Sequence, residues 1–360
     1  MDEVAFATEE IGILFGFQFS KKNPDLNATN MYIVVLVFRA FLQWISGLCF
    51  PPEGEVPRII CSGREIIDKV PSLRLFKPLA SGSEFHMVSS ALRKFSKVSF
   101  DRREELMGGE IVLDWMNPSS TKGIVLLFHG LGGNSYGLAS LSRRFVARGF
   151  ATVVYNRRGH GKGSVLRGKF PEHACIEDAE LVVDSLSWRG VPLYAVGVSA
   201  GANAMIRYMG EGSPILGAVS MCNALDLNAT YRELEKRPMV DRMVSTWMTR
   251  LYKKHFGSVP RIRSMKEFDE FVTGKQLSDY YSEQASLDAL RNIRVPVLCL
   301  GARNDVIVDQ VICDLHDEVA FANPNVISVT TNDGGHVGWM TSDGSWAEIV
   351  AVEFIEAISC

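Results

Sequence analysis

From about residue 98 onward, short apolar runs of strand length alternate with longer stretches in which apolar residues recur at helical spacing. The runs predict strands at about 98–101, 111–115, 124–128, 151–155, 193–196, 217–221, 297–300 and 326–329. The helical stretches fall at about 138–147, 176–187, 202–209, 308–319 and 346–358. Buried, β-branched strands separated by helices predict an α/β fold with a mostly parallel central sheet and helices on both faces. No helix separates the first two strands, so the sheet is expected to start antiparallel. The interval at about 225–290 carries polar and helical sequence without a strand pattern. It is expected to form a helical cap inserted over the carboxyl ends of the strands.

The most apolar stretch lies earlier, at residues 31–50, and has about the ~20 residues that a helix needs to cross a bilayer. Within it Arg39, Gln43, Ser46 and Gly47 fall at i, i+4, i+7 and i+8, on one helical face. A signal anchor, a helix lying in the membrane interface and a helix packed on the catalytic body all fit. Membrane attachment, single-pass or interfacial, is the expectation, with the cytoplasm as the alternative location. Lys21 and Lys22 precede the segment and Arg58 and Arg64 follow it, so positive charge sets no orientation. A cleaved signal peptide is disfavoured, because the apolar run starts late and no small-residue cleavage pattern follows. Residues 1–30 are expected to be an amino-terminal extension and 51–97, with Pro51, Pro52, Pro57 and Pro71, a linker region before the catalytic domain at 98–360. The sequons at Asn27 and Asn228 are read as chance.

Charge narrows the function classes. With 38 Lys and Arg against 41 Asp and Glu the net charge is −3, and 47% of residues are hydrophobic against 22% charged. That balance disfavours a disordered chain, an acidic tail or a polybasic nucleic-acid binder. The seven cysteines (Cys49, Cys61, Cys175, Cys222, Cys299, Cys313 and Cys360) are scattered, with no paired or histidine-flanked cluster. Reduced thiols are expected rather than disulfides or a zinc site.

The chemistry begins at Gly197-Val198-Ser199-Ala200-Gly201, which follows a predicted strand and precedes a predicted helix. A serine on a sharp strand-to-helix turn needs neighbours two residues away without a Cβ, which is the context of a nucleophile elbow. Serine also needs a base to take its proton and an acid to orient that base. His336, in the glycine-rich Gly334-Gly335-His336-Val337-Gly338, follows the last predicted strand, and Asp305 follows the strand at 297–300. Asp333 competes as the acid, but three residues before His336 it would be cramped in the histidine's own loop, so Asp305 is preferred. The loop His129-Gly130-Leu131-Gly132-Gly133 supplies Leu131 N–H, which with Ala200 N–H makes the expected oxyanion hole. Neither this loop nor Gly161-Lys162-Gly163-Ser164 matches a nucleotide-binding pattern. No metal or organic cofactor is implied.

These residues resemble one branch of the α/β-hydrolase superfamily, AB hydrolase family 4, which holds YheT-type bacterial esterases and the eukaryotic membrane-anchored abhydrolase-domain lipases and phospholipases. The resemblance runs from about residue 70 to the end. It rests on Gly108-Gly109, Leu113-Asp114-Trp115, His129 to Gly133, Asn156-Arg157-Arg158-Gly159, the elbow through Asn203 with Tyr208 following, Phe268-Asp269, Tyr280-Tyr281, Ala285-Ser286 and Gly334-Gly335-His336. It implies a triad of Ser199, Asp305 and His336, and many relatives carry one amino-terminal membrane anchor. The chain departs at His86-Met87-Val88, where relatives usually read His-Leu-Gln, and at Ala200, where many carry leucine, so that a wider acyl pocket is implied for this chain.

The expected activity is that of a serine carboxylic-ester hydrolase working through an acyl-enzyme on a lipid or small ester. The alternatives are an acyltransferase using the same triad and a catalytically silent binding protein on this fold. The helical run at 239–252, rich in Met, could line an acyl site or simply pack the cap on the core. The H-x₄-D spacing of His173 and Asp178 is of a kind linked to acyltransferases, but chance and a helix start explain it better. His160 has nothing beyond its position to mark it as a second base.

Overall fold

In a computed structural model, residues 24–62, 65–93, 98–166, 168, 170–187 and 189–359 are described. Residues 1–23, with Lys21 and Lys22, and Arg64 therefore lie outside the described residues. Nine strands form one sheet: β1 (Arg58–Ile60), β2 (Arg102–Leu106), β3 (Ile111–Met116), β4 (Ile124–Phe128), β5 (Ala151–Asn156), β6 (Leu193–Val198), β7 (Ala218–Met221), β8 (Val297–Ala302) and β9 (Val326–Thr331). Their spatial order is β1-β9-β8-β7-β6-β4-β5-β3-β2. The six from β5 through β9 are parallel, while β3 pairs antiparallel with β5, β2 with β3, and β1 with β9. The mostly parallel α/β architecture expected from the sequence is the one observed.

Every residue of β4 is buried, and alternate side chains leave on opposite faces. Ile124, Leu126 and Phe128 join a core shared with the helices Ile176–Ser187 and Ala200–Gly210, while Val125 and Leu127 join the core under the helix Trp346–Ile358. Among the described residues, those between β7 and β8 form five helices: Leu227–Glu235, Pro238–Phe256, Met265–Thr273, Leu277–Gln284 and Leu287–Arg291.

The structure departs from expectation in two places. The first strand lies at Arg102–Leu106 and not at 98–101, because an edge strand with charged residues carries little apolar signal. The stretch expected as linker contributes strand β1 and a helix at Ser83–Arg93.

The helix Pro24–Cys49 lies against the body. Among the described residues no helix is long and apolar enough to cross a membrane, so the single-pass alternative finds no support there; Arg39, Gln43 and Ser46 dilute the apolar run. The inward stripe is Ile33, Leu36, Ala40, Gln43 and Gly47, at alternating spacings of three and four. Gln43 donates to Glu84 Oε2 (2.8 Å) and accepts from Phe85 N–H (2.7 Å), and Arg39 pairs with Glu84 Oε1 at 2.8 Å. Gly47 sits so close to Ala80 that an added Cβ would lie 2.7 Å from its side chain. The opposite face leaves Phe38, Phe41, Leu42, Trp44, Ile45 and Leu48 exposed. This helix is thus apolar on both faces, with Gln43 as the polar tie of the inward stripe and the larger apolar side chains outward.

Candidate active site

Parallel strands deliver their carboxyl ends, and the loops that follow, to one edge of the sheet. Ser199 follows β6, Leu131 follows β4, Asp305 follows β8 and His336 follows β9. At the elbow Ser199 takes φ 56° and ψ −125°, a conformation that L-residues rarely adopt. The two glycines make it attainable: a Cβ on Gly201 would lie 2.4 Å from Phe128 O, and one on Gly197 would lie 2.5 Å from Ala202 Cα.

Ser199 Oγ lies 2.9 Å from His336 Nε2, and His336 Nδ1 lies 2.8 Å from Asp305 Oδ2. Burial works to raise the Asp305 carboxyl, but the His336 ring and the N–H groups of Val308 and Ile307 outweigh it and hold the carboxyl below its ordinary value. The acid therefore stays ionised and fixes the imidazole tautomer that leaves Nε2 able to accept from serine. Leu131 and Ala200 line the same cavity as Ser199, and among the described residues neither backbone N–H has a hydrogen-bond partner. All five residues singled out from the sequence are thus brought to one place.

Asp333 is not beside the imidazole. It accepts from Asn304 Nδ2 (2.6 Å) and Gly82 N–H (3.1 Å), while Asn304 Oδ1 accepts from Gly335 N–H (2.8 Å). Asn304 and Asp333 therefore splint the histidine loop, a role that no period or motif announces. His86 splints it too: its Nδ1 accepts from Met340 N–H (3.1 Å), and a Cβ on Gly338 would lie 2.4 Å from its Cβ. The segment after the loop His129 to Gly133 has its own ties, since the Ser135 hydroxyl donates to the buried Asp114 (2.6 Å) and its N–H donates to Asn156 Oδ1 (2.9 Å).

The other sequence candidates separate. Asp178 pairs with Arg158, whereas His173 approaches Asp269, so the H-x₄-D residues do not act together. His160 is buried, and burial and Arg157 push its ring well below the ordinary value, which keeps it neutral. Among the described residues, Cys222, Asp305 and His336 are grouped tightly enough for a metal. Burial pushes the Cys222 thiol well up, however, and a neutral thiol is a poor ligand.

The cavity above Ser199 measures about 700 Å³. Its lining is mainly apolar and includes the helix Pro24–Cys49 (Ile33, Leu36), the helix Ser83–Arg93 (Met87, Val88), the loops of the sheet (Leu131) and the helices between β7 and β8 (Leu227, Trp247). An arrangement of hydroxyl, imidazole, carboxylate and two unengaged N–H groups can carry acyl transfer, and the lining suits a hydrocarbon chain.

Comparison with known proteins points the same way. The Hydrolase_4 family model, described as serine aminopeptidase, S33, matches residues 119–326. Phospholipase ABHD3 of Mus musculus is 31% identical over 294 residues, covering 71% of this chain and 70% of its own. The embryogenesis-associated protein EMB8 of Picea glauca is 27% identical over 357 residues, covering 85% of this chain and 78% of its own. The crystal structure of a 2,6-dihydroxy-pseudo-oxynicotine hydrolase superposes with a TM-score of 0.50 at 15% identity, over 99% of this chain and 85% of that one, a likeness of fold.

Proposed function

We propose a function from one premise: this chain belongs to the Hydrolase_4 family of α/β-hydrolases, described as serine aminopeptidase, S33. It is a serine hydrolase of the carboxylester type. In our reading Ser199 Oγ attacks the ester carbonyl while His336 Nε2 takes its proton, and Asp305 steadies the imidazolium. The N–H groups of Leu131 and Ala200 receive the developing oxyanion. His336 then returns the proton to the departing alcohol, leaving an acyl-serine that water clears with the same histidine as base. The reading calls for no cofactor.

The substrate in this reading is a lipid ester, an acylglycerol or a phospholipid. The observation that carries it is the hydrogen-bonded chain Ser199–His336–Asp305 opening into a large, mainly apolar cavity. The exposed apolar face of the helix Pro24–Cys49 supports delivery from a bilayer surface, because the same helix also lines the cavity through Ile33 and Leu36. Its polar anchors hold that face outward, so an interfacial attachment fits better than a span.

The test is labelling of wild type and Ser199→Ala by a fluorophosphonate, run beside hydrolysis of p-nitrophenyl butyrate and of vesicles of monoacylglycerol and phosphatidylcholine. We expect labelling and all hydrolysis to vanish in the variant, with wild type faster on the vesicles than on the soluble ester. Folded wild type that takes no label would overturn the reading in favour of a binding protein. Acyl transfer to added glycerol outrunning hydrolysis would replace it by the transferase.

A further inference from the structure

The cavity has a second histidine beside a carboxylate, which the triad chemistry does not use. His173, in the segment between β5 and the helix Ile176–Ser187, is 7% exposed and lines the same cavity as Ser199. Its Nε2 lies 3.2 Å from each oxygen of Asp269 and 3.0 Å from the Tyr231 hydroxyl. Tyr281 donates to Asp269 Oδ2 at 2.9 Å, and its ring stacks on Tyr231 with centroids 4.3 Å apart. The backbone is pinned as well: His173 N–H donates to the Tyr280 hydroxyl (3.1 Å), and its carbonyl accepts from Arg157 Nη1 (2.9 Å).

A carboxylate beside Nε2 draws the ring proton there and leaves Nδ1 as a lone-pair acceptor. Nothing among the described residues bonds Nδ1. Among the described residues, the ring nitrogens that are buried and unbonded are the Nε2 atoms of His86, His160 and His316, whereas His173 lines the cavity. Of the neighbouring polar groups of the cavity, Thr230 Oγ1 donates to Ala224 O (3.2 Å) and Asn203 Nδ2 to Gln284 O (2.7 Å), while Asn203 Oδ1 is buried and unbonded among the described residues. A rigid acceptor in a mainly apolar cavity is a recognition element, because a ligand that reaches it without a donor leaves it desolvated and unpaired.

We infer that His173 Nδ1 accepts a hydrogen bond from a free hydroxyl on the glycerol backbone of the lipid ester, so that the enzyme selects lipids carrying one acyl chain and one open hydroxyl. This rests on the lipid-ester reading above. His173 is thereby a specificity residue, and Asp269, Tyr231 and Tyr281 are positioning residues that act through it.

The test compares 1-acyl lysophosphatidylcholine with its 2-O-methyl ether, which has the same chain and head group but no donor. Wild type should favour the free hydroxyl by at least about ten-fold in kcat/KM, the usual weight of one hydrogen bond to a buried group. His173→Gln keeps an amide donor where Nε2 stood and has no acceptor where Nδ1 stood, so the ratio should fall to about unity. His173→Asn keeps an oxygen near Nδ1 and loses the tie to Asp269, so much of the ratio should survive while the melting temperature drops. Tyr281→Phe removes one tie on Asp269 and should lower the ratio part of the way, less than His173→Gln. Because the readout is a ratio, a general loss of activity cancels. Equal rates on the two lipids in wild type, or a ratio preserved in His173→Gln, would overturn the inference. Wild type that cleaves p-nitrophenyl butyrate but neither lipid would instead defeat the lipid reading beneath it.

Discussion

The floor of the cavity and its roof are fastened differently. The floor is the carboxyl edge of β4, β6, β8 and β9, where strands are hydrogen-bonded to one another and Gly197 and Gly201 stand against backbone atoms with no space for a methyl group. The roof is the helix Pro24–Cys49 and the helices after β7, joined below largely by side-chain contacts. Gln43 reaches Glu84 and Phe85, Arg237 Nη1 reaches Asp305 O at 2.8 Å, and His173 meets Asp269. Backbone packing allows almost no displacement, whereas a few side-chain bonds can open locally at modest free-energy cost. Changes in the floor should therefore strike the chemical step, and changes in the roof the capture and choice of substrate.

The largest effect is expected at the floor. Ser199→Ala and Asp305→Asn should each lower kcat on p-nitrophenyl butyrate by about 10⁴-fold with little change in KM, read by steady-state kinetics. Asp333→Asn should lower it by no more than about ten-fold, and a loss equal to that of Asp305→Asn would show that the acid has been misassigned. Gly201→Ala comes next, because its Cβ would lie 2.4 Å from Phe128 O. We expect a destabilisation of about 3 kcal/mol or more in urea titration, and a near-neutral result would remove the steric account of the elbow.

Roof variants should act more gently. Phe38→Asp with Leu48→Asp on the outward face should lower the ratio of vesicle to soluble-ester hydrolysis by roughly ten-fold and weaken vesicle flotation. An unchanged ratio would mean that the face meets something other than lipid.

The smallest effect concerns stability and pH. Burial pushes His316 down to about 4, and pushes His86 down to about 4 against the pull of Asp333. An unfolded histidine titrates at roughly 6.5, so below that pH the unfolded chain binds protons that the folded chain refuses. Stability from this source is complete above about pH 6.5 and is lost as the pH falls toward 4. The melting temperature should drop by roughly 5 °C between pH 7 and 4.5, and His316→Gln should flatten part of that slope.

The floor was far more legible in the sequence than the roof. Strands such as β4 are apolar throughout because they are buried on both faces, and the elbow glycines mark a steric requirement that admits few substitutes. β2 escaped because its edge position lets Arg102, Arg103, Glu104 and Glu105 face outward, and β1 because three residues make no pattern. For the helix Pro24–Cys49 the periodicity was visible but its direction was not, since hydrophobicity alone points apolar faces inward. Asn304, Asp333 and His86 act through single hydrogen bonds to loop backbone, and 96 residues separate His173 from Asp269. Contacts of that kind leave no local trace.

The pairing of β1 with β9 bears on how the chain is made. Arg58–Ile60 is antiparallel to a strand ending at Thr331, and no strand of the sheet lies beyond either at that edge. Among the described residues, the earliest strand of this sheet thus waits for the latest before it finds its partner. Through most of synthesis the helix that precedes it lacks Pro238–Phe256, one of the helices it packs on.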